Sequence, residues 1–121
     1  MRFMIMVPAS KESEAGVLPD EASLLAMGKF NEEMVKAGVM RAGEGLHASA
    51  RGAKVAFLGG GKTQVVDGPF TESKEIIGGY AIVQADTRER AMEIAQEFVD
   101  LHLEHWPGFE FECEIRPQEA M

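Results

Sequence analysis

Phe3-Met4-Ile5-Met6-Val7 is apolar at both parities of a strand, so an extended segment there needs cover on both faces and belongs mid-sheet. Pro8 to Pro19 mixes Ser, Gly, Lys and Glu without periodicity and reads as a loop. From Asp20 the apolar positions Leu24, Met27, Phe30 and Met34 recur every three or four residues, with Lys29, Glu32, Glu33 and Lys36 on the other side. That spacing predicts an amphipathic helix, which Gly38 ends by taking the left-handed conformation without a Cβ clash. Val39 to His47 reads as a second strand, weakened by Gly43 and Gly45. Val55 to Leu58 and Thr63 to Val66 are short β-type runs across Gly59-Gly60-Gly61-Lys62, the composition of a hairpin turn. Ile77 to Gln84 reads as a further strand. Asp86 followed by Glu89 marks a capping-box start worth ~1 kcal/mol, opening a second helix with Ala91, Ile94, Ala95, Phe98 and Leu101 as its buried stripe. Phe109, Phe111, Cys113 and Ile115 then alternate with Glu110, Glu112, Glu114 and Arg116, the pattern of a half-exposed strand.

Strand, helix, strand, inserted hairpin, strand, helix, strand is an α+β order. Without the hairpin it is a split βαβ repeat, the ferredoxin-like plan, in a single domain over residues 1–121. Right-handed crossovers put both helices on one sheet face. The other face, carrying either Phe3, Ile5 and Val7 or Met4 and Met6, then lies bare, and a bare apolar face in a soluble protein marks an interface. A homodimer joined through that face is expected, burying roughly 800 Å² per subunit.

Composition narrows the function classes. The chain has 121 residues, 45% apolar and 26% charged, the make-up of a globular domain with a real core. Its formal charge of -8 repels nucleic-acid backbones and anionic membranes, so neither is an expected partner. The charge is uneven: residues 86 to 121 hold ten acids against three bases, whereas Lys36 to Val66 carries five bases and only Glu44. That basic stretch is either a solvated hairpin or a landing surface for a small anion. The single Cys113 makes no internal disulfide, and Pro8 breaks the apolar start before it reaches signal-sequence length, so a cytoplasmic protein is expected.

Several motifs that look chemical fail on context. Gly59-Gly60-Gly61-Lys62-Thr63 imitates a phosphate-binding loop, but Ala56 stands where the spacing demands glycine and a β-type run follows where a helix is needed. Gly43-Glu44-Gly45-Leu46-His47-Ala48 fits a dinucleotide pattern, yet Gly52 and Ala53 allow no long helix behind it. His102 and His105 share a helix face but lack a defined third ligand, so no metal is expected there. Glu110, Glu112 and Glu114 read as a solvated face. Cys113, on the apolar side of the same alternation, reads as a packing residue.

One constellation remains. Asp67-Gly68-Pro69-Phe70 forces a change of direction at the end of the hairpin. In one reading it is a structural turn whose carboxylate accepts nearby amides. In the other, Asp67 is presented at a strand end beside His47, which ends the strand before the hairpin. Asp67-Gly68-Pro69-Phe70-Thr71-Glu72-Ser73-Lys74-Glu75 with Gly79-Tyr80 resembles the signature of the DGPF group of YCII-related proteins. Ala26-Met27-Gly28-Lys29-Phe30-Asn31-Glu32-Glu33, Ala42-Gly43-Glu44-Gly45-Leu46-His47 and Glu114-Ile115-Arg116-Pro117 are similar to that group as well. Ala48 stands where similar sequences often have proline and Ser73 where they often have threonine, and residues 98 to 113 follow the pattern least. The resemblance implies a ferredoxin-like subunit pairing into a dimeric α/β barrel, a His and Asp pair as active site, and for some relatives an association with extracytoplasmic-function sigma factors.

Two functions compete. In an enzyme acting on a small, anionic or carbonyl-bearing metabolite, His47 moves a proton and Asp67 orients it, Arg41 or Lys74 holds substrate charge, and Tyr80 donates a hydrogen bond. No cofactor or metal is called for. In a ligand-binding or regulatory dimer the same cleft senses a metabolite without changing it.

Overall fold

The computed structural model describes residues 1–16, 20–70, 76–105 and 112–119. Four strands, β1 (Arg2–Pro8), β2 (Met40–Gly45), β5 (Ile77–Gln84) and β6 (Glu114–Pro117), form one antiparallel sheet in the order β2-β5-β1-β6. The helices α2 (Glu21–Lys36) and α3 (Arg88–His105) connect β1 to β2 and β5 to β6. This is the strand order of the ferredoxin-like repeat expected above. The inserted β3 (Ala53–Gly59) and β4 (Lys62–Asp67) form a separate two-stranded sheet. Gly59, Gly60 and Gly61 at its tip all have positive φ, which only glycine adopts freely.

β1 lies between β5 and β6, as its doubly apolar sequence requires. Phe3 and Ile5 turn to the helices and join Val83, Ala85, Ala91, Ile94 and Ala95 in the core. Met4 and Met6, paired with Ile82 and Tyr80, take the opposite face. Small residues in the α3 stripe let that helix sit close on the sheet. α2 does not: its only buried residue is Ser23, and Met27, Phe30 and Met34 are half-buried. The predicted apolar stripe therefore faces a hollow, with the Phe30 and Phe98 rings 6.4 Å apart where the two helices meet.

Several local features differ from the sequence reading. The loop before α2 contains a short helix, α1 (Lys11–Glu14), closed by a reciprocal Ser10–Ser13 capping box. The start of α3 is capped by Thr87, whose Oγ1 accepts the Arg90 amide at 3.1 Å, so Asp86 stands one residue outside. The hairpin is basic, but it exposes Val55, Phe57, Leu58 and Val65, with Phe57 83% exposed. The predicted alternation at Phe109 to Phe111 lies outside the described residues. Gly38 (φ 73°) follows α2 as expected.

Candidate functional site

One end of the sheet collects the C-termini of β1 and β2, the N-terminus of β5, the N-terminus of α2 and the C-terminus of α3. A cleft of about 700 Å³ opens there between the sheet and the helices. Its inner wall is apolar, with Ile5, Met27, Phe30, Val83, Ile94 and Phe98. Gly43, Gly45 and Gly79 lie on the sheet face turned to the helices and leave the floor without side chains. Its outer wall carries His47, Arg51, His102 and His105, and thus all three histidines of the chain.

His47 is placed by continuation of the β2–β5 pairing: the Leu46 amide donates to the Gly78 carbonyl at 2.8 Å, so His47 leaves the sheet directly beyond it. His102 is held by its own helix, Nδ1 lying 2.9 Å from the Phe98 carbonyl and its ring 4.3 Å from the Phe98 ring. A carbonyl only accepts, so Nδ1 bears a proton. His105 lies close enough to Asp20, the N-cap of α2, to act on it. The Ser23 amide (2.7 Å), the Ser23 hydroxyl and the field of His105 together hold the Asp20 carboxyl below its ordinary 3.8.

A second network fixes the loop after His47. Residues 49–51 form a 3-10 turn. Ser49, which is buried, donates from its amide to the Glu14 carboxylate at 2.9 Å and from its hydroxyl to the other Glu14 oxygen, while Ser49 Oγ accepts the Phe70 amide at 3.0 Å. The Gly68 amide donates to the Gly52 carbonyl at 2.9 Å. A Cβ on Gly68 would lie 1.7 Å from the Ser49 carbonyl oxygen, so the Asp-Gly-Pro-Phe turn packs against this loop as only glycine permits. Phe70 in turn lies 4.3 Å beneath the Lys54 ammonium.

The residues singled out in the sequence stand differently with respect to the cleft lining. His47 lines the cleft; Asp67 is exposed, pairs with Ala53 in the hairpin ladder and is not part of the lining. Among the described residues its carboxylate makes no hydrogen bond. Arg41 is exposed at a register shift between Met40 and Ala42, also outside the lining. Tyr80 borders the cleft, but its parity places its ring on the open face with Met6 and Ile82. Lys74 lies outside the described residues. Arg51, His102 and His105 line the cleft without being among the site residues expected from the sequence. The visible signal was two histidines three residues apart at a helix end, one of them four residues after Phe98. Among the described residues no cluster of three His, Cys, Asp or Glu side chains is placed to hold a metal ion, and no helix is long and apolar enough to cross a membrane. Cys113 packs against the core, where burial pushes its thiol up to about 11.

Comparison with known proteins gives three findings. The family model of the YCII-related domain matches residues 1–99. No curated protein matches the chain. Among solved structures, the 5-chloro-2-hydroxyhydroquinone dehydrochlorinase TftG from Burkholderia phenoliruptrix AC1100, in complex with 2,5-dihydroxybenzoquinone, is similar over 100% of this chain and 96% of that one, at 11% identity and a TM-score of 0.48.

Proposed function

The chain belongs to the YCII-related domain family, and from that premise we propose that the cleft is the site of a small-molecule enzyme in which His47 moves a proton on an anionic or carbonyl-bearing metabolite. The observation that carries this reading is a walled hollow of ligand size with an imidazole in its rim. Asp67 acts at one remove. Its turn rests on Ser49, two residues past His47, and so positions the loop that carries the imidazole. Two copies pair through the face that bears Met4, Met6, Tyr80 and Ile82, opposite the face on which Phe3, Ile5 and Val83 meet α3.

Proton movement is read directly by solvent-deuterium exchange into a panel of small carboxylates and carbonyl compounds, followed by nuclear magnetic resonance. His47→Ala should lower the exchange rate by about 100-fold or more, and Asp67→Asn by far less. Exchange that survives His47→Ala overturns the assignment. One observation favours a ligand-binding dimer without chemistry: the carboxylate expected to orient His47 stands outside the cleft wall. That reading is distinguished by binding with no exchange for any member of the panel.

A further inference from the structure

We infer that the cleft takes a hydrophobic anion, an apolar body of one or two rings bearing a single carboxylate or similar charged group, received by Arg51 together with His105. This rests on the proposed reading of the cleft as a ligand site and names the class of its ligand.

The chain carries twenty acids against twelve bases, and half of those acids fall in residues 86 to 121, the segment that includes α3. A cleft wall drawn from such a surface at random would be acidic. Instead Arg51, His47, His102 and His105 face it, from the turn after β2 and from the last turn of α3. The acids nearby are otherwise engaged. Glu44 borders the cleft but shares its parity with Tyr80, which turns its side chain to the open face. Glu14 is held by Ser49, and Asp20 by Ser23 with His105 beside it.

On the inner wall Met27, Phe30, Ile94 and Phe98 are apolar, and the α2 side of the hollow is not filled by the subunit's own core. A small hydrophilic anion such as phosphate would leave this wall wet. A neutral apolar ligand would desolvate the Arg51 guanidinium and offer it no opposite charge. An apolar body with one anionic group satisfies both ends, and about 700 Å³ accommodates one or two fused rings. His105, in the last turn of α3, and Arg51, in the turn after β2, come to the cleft lining from different elements of the chain.

The test is calorimetric titration of the full chain at pH 7 with 2-naphthoate, its neutral amide 2-naphthamide and the cation 2-naphthylmethylammonium. The carboxylate should bind about tenfold or more tighter than the amide, and the cation weakest. Arg51→Gln and His105→Gln should each weaken naphthoate by about tenfold and narrow its preference over naphthamide, with a parental melting curve showing that each variant is folded. Equal affinities for the three probes, or charge selectivity indifferent to both substitutions, would overturn the inference. Its failure is separable from that of the reaction: charge-selective binding alongside exchange that survives His47→Ala removes the catalytic reading alone. Absent selectivity alongside exchange lost in His47→Ala removes the ligand class alone.

Discussion

Replacing Gly68 by Ala places a Cβ 1.7 Å from the Ser49 carbonyl oxygen, 2.6 Å from its carbon and 3.2 Å from the Ala50 nitrogen. All three are backbone atoms, so no rotamer change relieves the clash. A tolerable carbon–oxygen separation of about 3.3 Å requires the turn and the 49–51 loop to part by roughly 1.6 Å. That displacement stretches the Gly68–Gly52 bond (2.9 Å) and the Phe70–Ser49 bond (3.0 Å) out of hydrogen-bonding range. Overpacking costs about 1–3 kcal/mol and each lost bond about 1 kcal/mol, so the expected loss is about 3–5 kcal/mol. With an unfolding entropy of about 2.1 cal/mol/K per residue, Tm falls by about 12–20 °C, read by scanning calorimetry beside urea titration. Gly28→Ala is the matched control. Nothing lies within 4 Å of its added Cβ in the middle of α2, and it should gain about 0.5–1 kcal/mol. A Gly68→Ala protein within about 1 kcal/mol of the parent would refute the close packing on which the placement of His47 depends.

Ser49→Ala deletes the hydroxyl that donates to Glu14 and accepts from the Phe70 amide, and should cost about 2 kcal/mol in urea titration, with Glu14→Gln recovering part of it. Gly45→Val adds a β-branched side chain on the cleft side where nothing lies within 4 Å, so it should abolish naphthoate binding while leaving Tm unchanged or raised. Met6→Lys with Ile82→Glu should convert a sedimenting dimer to monomer; a parent that sediments as a monomer at micromolar concentration removes the pairing. The Cys113 thiol, pushed up to about 11, should alkylate at pH 8 about 100-fold more slowly than an ordinary cysteine. Because the unfolded thiol ionises near 9.0 and the folded one near 11, stability should also decline as pH rises through that window. The Asp20 carboxyl runs the other way. Its lowered folded pKa stabilises above 3.8 and is lost as pH falls through the folded value, so Asp20→Ala should melt lower than the parent at pH 6 and converge with it in strong acid.

Periodicity made most of the scaffold legible. Tyr80, Ile82 and Val83 marked β5 at its observed bounds, Ala91, Ile94 and Ala95 marked the buried face of α3, and Gly38 marked the end of α2. What periodicity measures is which side of an element is apolar, not what that side meets. Met27 and Phe30 carry the same signal whether they face a packed core or a hollow, so the cleft could not be seen from α2 alone. α1 was hidden because one helical turn has no period to detect, and its capping box uses Ser13 where the usual pattern has Glu or Gln. Thr87 outcompetes Asp86 as the α3 cap by one position, a choice that depends on backbone direction. That Asp67 falls outside the cleft lining was equally out of reach, since the path of the chain between β2 and β3 runs through the 49–51 turn, which bonds to Glu14, 35 residues away.

The β3–β4 ribbon shares no ladder with the four-stranded sheet, and its tip is three glycines in conformations that carry no side-chain contacts. The polypeptide can therefore be opened between Gly60 and Gly61 to graft an epitope or a fluorescent segment, since lengthening a surface loop adds only a slowly growing entropic cost. Such a graft would report on the molecule from a mast held clear of the cleft, and new chain ends placed there would leave every strand of the main sheet in its original order.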